Sequence, residues 1–134
     1  MKENERIMDL NFLMKLCEEK QGAELDYHLR WDAARYRVGN KMFAAISTDK
    51  GLRITLKCDP ILSDVLRQQY PQVAPGYFMN KKHWNTITVD GLIPEEELKK
   101  WIDISYSLVF NSLTKKMQKE ISEVGLSGER KRRL

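Results

Sequence analysis

Between Pro75 and Asn85 the chain reads PGYFMNKKHWN, a run that collects the side chains best suited to chemistry: Lys81, Lys82, His83 and Trp84. Adjacent lysines beside a histidine suit contact with phosphate oxygens, and an indole offers a face on which a base can stack. The same residues have plainer uses. A tryptophan at a strand start serves as a core plug bonded through its indole N–H. Asn80 and Asn85 suit turns, where asparagine bonds its own backbone.

Other chemistries find less support. His83 has only His28 as a histidine partner, and neither stands in an H-x-x-x-H or comparable spacing, so no metal site is expected. No G-x-S-x-G elbow or similar nucleophile signature occurs, so no catalytic residue is assigned and the chain is not expected to be an enzyme. Val38-Gly39-Asn40 is a hairpin turn, not a phosphate loop, and no cofactor is implied. Cys17 and Cys58 lack C-x-x-C spacing and sit inside apolar periodic patterns, which predicts buried, reduced thiols.

The elements that must position the run can be read from periodicity. Ile7, Leu10, Met14 and Cys17, with Leu13 beside them, form the stripe of an amphipathic helix. Ala34, Tyr36 and Val38 alternate with Arg35 and Arg37, Gly39-Asn40 is a two-residue hairpin signal, and residues 41–48 make the returning strand, beginning at Lys41. After the Asp49-Lys50-Gly51 turn, Leu52, Ile54, Leu56 and Cys58 alternate with Arg53, Thr55 and Lys57. Asp59-Pro60 caps and opens a helix over residues 60–70 with Leu62, Val65, Leu66 and Tyr70 inward, and Pro71 ends it. Strands are expected at 73–78 and 84–90. Pro94 and three glutamates open a last helix with Leu98, Trp101, Ile102, Ser105, Leu108, Val109 and Leu113 as its stripe, running on toward Met117 and Ile121.

The order α-β-β-β-α-β-β-α predicts an α+β, two-layer sandwich in which an antiparallel sheet carries helices on one face. Leu52, Ile54, Leu56, Trp101, Ile102 and Leu108 are then expected in one core. The opposite face presents Arg35, Arg37, Arg53 and Lys57, an open basic surface.

At 134 residues and 42% hydrophobic the chain suits a single domain, expected over 1–124, with a disordered basic tail over 125–134. No apolar run reaches the ~20 residues that cross a bilayer, and no signal peptide is apparent, so a soluble, cytoplasmic protein without membrane contact is expected. The net charge of +4 divides as −2 over residues 1–30, +4 over 31–90, −1 over 91–128 and +3 over 129–134. Positive charge therefore belongs to the central strands and the tail.

Four segments together resemble the bacterial MmcQ/YjbR family: Val38-Gly39-Asn40-Lys41-Met42-Phe43-Ala44; Leu56-Lys57-Cys58-Asp59-Pro60; Pro75-Gly76-Tyr77 with Asn80-Lys81-Lys82-His83-Trp84-Asn85; and Ser105-Tyr106. The resemblance spans residues 34 to 110. Asn40 stands where the family commonly has a second glycine, and Tyr27-His28-Leu29-Arg30-Trp31 replaces a Pro-Phe-Gly-like segment. The resemblance implies a fold related to type III secretion chaperones and a DNA-binding role through a "double-wing" motif.

Two function classes follow. A nucleic-acid-binding module would use Arg35, Arg37, Lys41, Arg53, Lys57, Lys81, Lys82, His83 and Trp84, weakly and non-specifically, since no recognition helix is apparent. A protein-interaction or chaperone-like module would hold a partner peptide on the open face or a sheet edge. An alternating polar face is also what any half-exposed strand shows. Oligomeric state is not legible at this level.

Overall fold

The computed structural model describes residues 8–76 and 80–123. The elements run α1 (Leu10–Glu18), β1 (Glu24–His28), β2 (Ala33–Val38), β3 (Lys41–Ser47), β4 (Arg53–Lys57), α2 (Pro60–Gln69), β5 (Val73–Pro75), β6 (Trp84–Thr88) and α3 (Glu95–Ser112). A further helical stretch, α4, covers 115–123. The expected α+β sandwich is what forms: one antiparallel sheet in the order β1-β2-β3-β4-β6-β5, with α1 and α3 packed on one face.

Local chemistry explains the boundaries. Asp59 caps α2 by accepting from the Ile61 and Leu62 N–H groups, with Pro60 at the first turn. Glu95, Glu96 and Glu97 place carboxylates at the positive end of α3. Gly39 and Asn40 both adopt positive φ, 54° and 68°, as a two-residue hairpin turn requires.

β1 is an addition to the expected order. The segment ELDYH alternates Leu25 and Tyr27 with Glu24, Asp26 and His28, and pairs along its whole length with β2. The Tyr27–Trp31 segment is therefore half edge strand and half turn.

Ile54 and Leu56 of β4, Ala44 and Ile46 of β3 and Ile87 of β6 share a core with Leu98, Trp101, Ile102 and Val109 of α3 and Leu13 and Cys17 of α1. Two inward assignments and one helix boundary are corrected. Leu108 is 37% exposed: at 100° per residue it falls just outside the buried stripe, about 20° past Trp101, which forms its edge. Val65 is half exposed, since α2 turns Leu62, Ser63 and Leu66 inward. The last helix does not run on to Ile121. It breaks at Leu113–Thr114, where the Thr114 hydroxyl accepts from the Met117 N–H and starts α4. Cys17 and Cys58 are buried and free, as expected. Ile7, part of the expected strand at 73–78, and the tail over 125–134 lie outside the described residues.

Candidate functional site: the open sheet face and its adjoining turn

Cross-strand register fixes which side chains share the face away from the helices. One row crosses all six strands as Asp26, Arg35, Ala45, Thr55, Thr86 and Ala74. A second runs His28, Ala33, Ser47, Arg53 and Thr88, and a third sets Glu24 opposite Arg37 and Lys57 opposite Trp84. Arg35, Arg37, Arg53 and Lys57 are thus on one surface, as the alternation predicts. Its floor is small and tightly covered: Ala33, Ala45, Thr55 and Thr86 are all buried although none belongs to the main core. The Thr55 and Thr86 hydroxyls are hydrogen-bonded at 2.9 Å.

The cations on this face are largely partnered. Asp26 accepts from Arg35 through Nε and Nη2, each at 2.9 Å, and pairs with Arg37 Nε at 3.3 Å. That hydrogen bonding to Arg35, opposed by partial desolvation, holds the Asp26 carboxyl below its ordinary range and raises Arg35 in turn. Arg53 pairs with Asp49 at 3.2 Å. Lys57 Nζ stands 6.0 Å from the centroid of the Trp84 ring. Alternation in β2 and β4 predicts the four cations but is silent on Asp26, which reaches Arg35 only through the pairing of β1 with β2.

The turn leading into β6 is held from behind. Asn80 accepts from the Lys82 N–H through its side chain, and its carbonyl accepts from the N–H groups of His83 and Trp84. Arg67 of α2 donates to the Lys81 carbonyl, to the Trp84 carbonyl at 3.4 Å and to Asn85 Oδ1 at 2.7 Å. Asn85 is buried on the helix side of β6, so it serves Arg67 where the sequence suggests a bond to its own backbone. The turn is closed from the other side by the Cys58 N–H, which donates to the His83 carbonyl at 2.7 Å. Lys81 and Lys82 are left exposed at its tip.

The sequence-derived set does not gather into one site. Lys41 points to the helix layer, where its ammonium donates to Ser112 Oγ at 3.3 Å. His83 is half-buried and contributes its carbonyl to the turn. Trp84 is 8% exposed, with Lys57 over its ring, which leaves little indole for a base. Arg67 was missed because a lone arginine on a short helix has no sequence signal for a backbone contact 14 residues away. Among the described residues no cluster of metal-ligating side chains occurs, and no helix is long and apolar enough to cross a membrane.

Comparison with known proteins agrees with this architecture. The family model described as YjbR matches residues 18–108. The Escherichia coli (strain K12) protein YjbR is 33% identical over 113 residues, 84% of this chain and 96% of its own. The E. coli O157:H7 protein YbdF is 39% identical over 87 residues, 64% of this chain and 71% of its own. The crystal structure of a Deinococcus radiodurans protein with domain DUF419 superimposes with a TM-score of 0.80 at 35% identity, covering 87% of this chain and 89% of that one.

Proposed function

The chain belongs to the YjbR family, and from that premise we propose that it binds nucleic acid weakly and without sequence preference, through phosphate contacts on the open sheet face and the Asn80–Trp84 turn. The observation that carries this reading is continuity. Arg35 and Thr55 share one cross-sheet row with Ala45 between them, about 10 Å apart at two strand spacings. Arg53 and Lys57 flank Thr55 on β4, and Lys57 lies opposite Trp84, the residue into which the Lys81–Lys82 turn runs. A phosphate backbone laid across β2, β4 and the turn meets a cation at each step.

Charge sets the expected strength. Arg35, Arg37, Arg53 and Lys57 share the surface with Glu24, Asp26 and Asp49, so the surplus is small. That favours backbone contacts at Kd values of roughly 10⁻⁴ to 10⁻⁶ M, the range of non-specific binding at physiological salt. The buried Trp84 and, among the described residues, the lack of a helix on this face argue against stacking or groove readout as the main contribution.

Fluorescence anisotropy of labelled duplex and single-stranded DNA, titrated across salt concentrations, tests the proposal. The chain ending at Ser127 is measured alongside the full chain, because residues 129–134 carry +3 of the +4 net charge. Binding that persists in the shorter chain, weakens with salt and falls when Lys81 and Lys82 are both changed to alanine supports the sheet and turn. Absence of binding at low salt in both chains overturns it. A protein partner would draw on a different region, since the exposed apolar side chains Leu25, Tyr27 and Leu29 collect at β1 and its turn.

A further inference from the structure

The two edges of the sheet are guarded unequally. β5 is three residues long, ends in Pro75 and packs beside α2, so it offers little for another strand to pair with. β1 is five residues long, contains neither proline nor lysine, and pairs with β2 in unbroken register, without a bulge to twist it away. Among the described residues its outer side pairs with nothing. It also exposes Leu25 (49%) and Tyr27 (55%), and Leu29 (84%) follows immediately.

The sequence of this edge is complementary to itself. Antiparallel pairing of two copies about Tyr27 sets Tyr27 against Tyr27 of the second copy and Leu25 against Leu29. It also sets Asp26 against His28 within the strand, while Leu29 and Arg30, which meet Leu25 and Glu24, belong to the turn that follows β1. The Tyr27 pair thus falls on the helix side, and the two Asp26–His28 pairs fall on the open side. Centring on Asp26 would instead oppose two carboxylates, so the Tyr27 register is the favoured one.

The hydrogen-bonding state of the polar pair agrees. His28 stacks on Trp31 with ring centroids 4.1 Å apart, and its Nδ1 accepts from the Trp31 N–H at 3.3 Å, which places the imidazole proton on Nε2 as a donor. Asp26 accepts two hydrogen bonds from Arg35 and has Arg37 Nε beside it as an ion pair, and a carboxylate has about four acceptor positions. Acceptor capacity therefore remains for that imidazole.

We propose that β1 is a homodimer interface, pairing two copies edge to edge about Tyr27 into one continuous twelve-stranded sheet. The two open faces then adjoin, and Leu25, Tyr27 and Leu29 are covered. The partner is a second copy of this chain because the complementarity is internal to the strand.

Sedimentation equilibrium of the full chain from micromolar to sub-millimolar concentration tests this without any nucleic acid, so its result is separate from the function proposed above. The expected species is about twice 15.8 kDa. Tyr27→Lys should raise the dimer dissociation constant about 100-fold or more, since two lysines would face each other, and should leave the melting curve of the protomer intact. Under mild oxidation Tyr27→Cys should cross-link across the two-fold, because directly opposed residues lie about 4.5–5.5 Å apart at Cβ. Leu25→Cys faces Leu29 instead and should not, and native Cys17 and Cys58 are buried. A monomer at every concentration, a dimer that Tyr27→Lys leaves unchanged, or cross-linking at Leu25→Cys in place of Tyr27→Cys would each overturn the proposal.

Discussion

The Ser105 hydroxyl donates to the Phe43 carbonyl at 2.5 Å and, at the same time, accepts from the Lys57 N–H at 2.8 Å. This bond answers an irregularity in the sheet. Tyr36 faces Ala44 but Arg37 faces Met42, so Phe43 is an extra residue in β3, a bulge whose carbonyl has no place in the ladder. The bulge also turns the Phe43 ring to the helix side, where it meets Tyr106 edge-on at 5.3 Å. Ser105 is fully buried on α3, and one hydroxyl therefore satisfies two backbone groups and ties helix to sheet. Ser105→Ala removes both bonds and should cost about 1–3 kcal/mol in denaturant melts, the penalty for buried groups left unpaired. A loss below about 0.5 kcal/mol would mean that water takes its place.

Arg67 should matter to the turn more than to the fold. Its guanidinium holds the Lys81 and Trp84 carbonyls and the Asn85 side chain, while its own helix is capped independently by Asp59. Arg67→Met keeps much of the aliphatic stem and deletes the donors. The expected outcome is faster amide exchange at Lys82, His83 and Trp84, together with weaker DNA binding if Lys81 and Lys82 contribute to it. Unchanged exchange at those amides would show that the Asn80 turn stands without Arg67.

Much of the fold was legible because its determinants are local. The alternation in β2 and β4, the Gly39-Asn40 turn and the Asp59-Pro60 cap each state their own structure within a few residues. β1 is equally periodic in Leu25 and Tyr27, but it is only five residues long and runs directly into the Leu29–Asp32 turn, so its own signal is short. The features that escaped depend on distant partners. The Phe43 bulge reverses the face that alternation assigns, and nothing before Ser105 announces it. Leu108 has an apolar type but sits just past the edge of its helix's buried stripe. The site suffered most, since the four cations on the open face were visible and the carboxylates of Asp26 and Asp49 that partner them were not placed.

Alkaline pH should destabilise the protein before neutral or mildly acidic pH does. Burial pushes the Cys17 thiol up from its ordinary value of 9.0 to about 12, against a smaller pull from Lys20. Tyr36 is raised by burial and by its hydrogen bond to Glu18, and Tyr106 is raised by burial. Each group keeps its proton in the folded state at a pH where the unfolded chain has released it. Stability from these groups is therefore complete below pH 9 and falls as pH rises from 9 toward 12. Cys17→Ala should lower stability throughout yet flatten that decline, as denaturant melts at several pH values would record. An unaltered slope would place the alkaline sensitivity elsewhere.

Asp26→Asn gives the most direct test of whether Arg35 and Arg37 serve binding or only the sheet. The carboxylate neutralises two guanidiniums on the open face, with Arg35 bound through both oxygens. Its loss leaves those cations in place with one negative charge fewer beside them. If the face meets phosphate, affinity for DNA should rise and the slope of log K against log salt should steepen by roughly one, as for one more phosphate contact. The same release should follow acidification through the depressed Asp26 pKa. The sign for stability is opposite: the ion pairs contribute fully above the unfolded carboxyl's ordinary value of 3.8 and are lost as pH falls through the lowered folded value. Because Asp26 is partly solvated, that loss should be small and the melting temperature near that of the unaltered chain. Affinity that stays constant or drops in Asp26→Asn would remove Arg35 and Arg37 from the binding surface and confine it to Arg53, Lys57 and the Lys81–Lys82 turn.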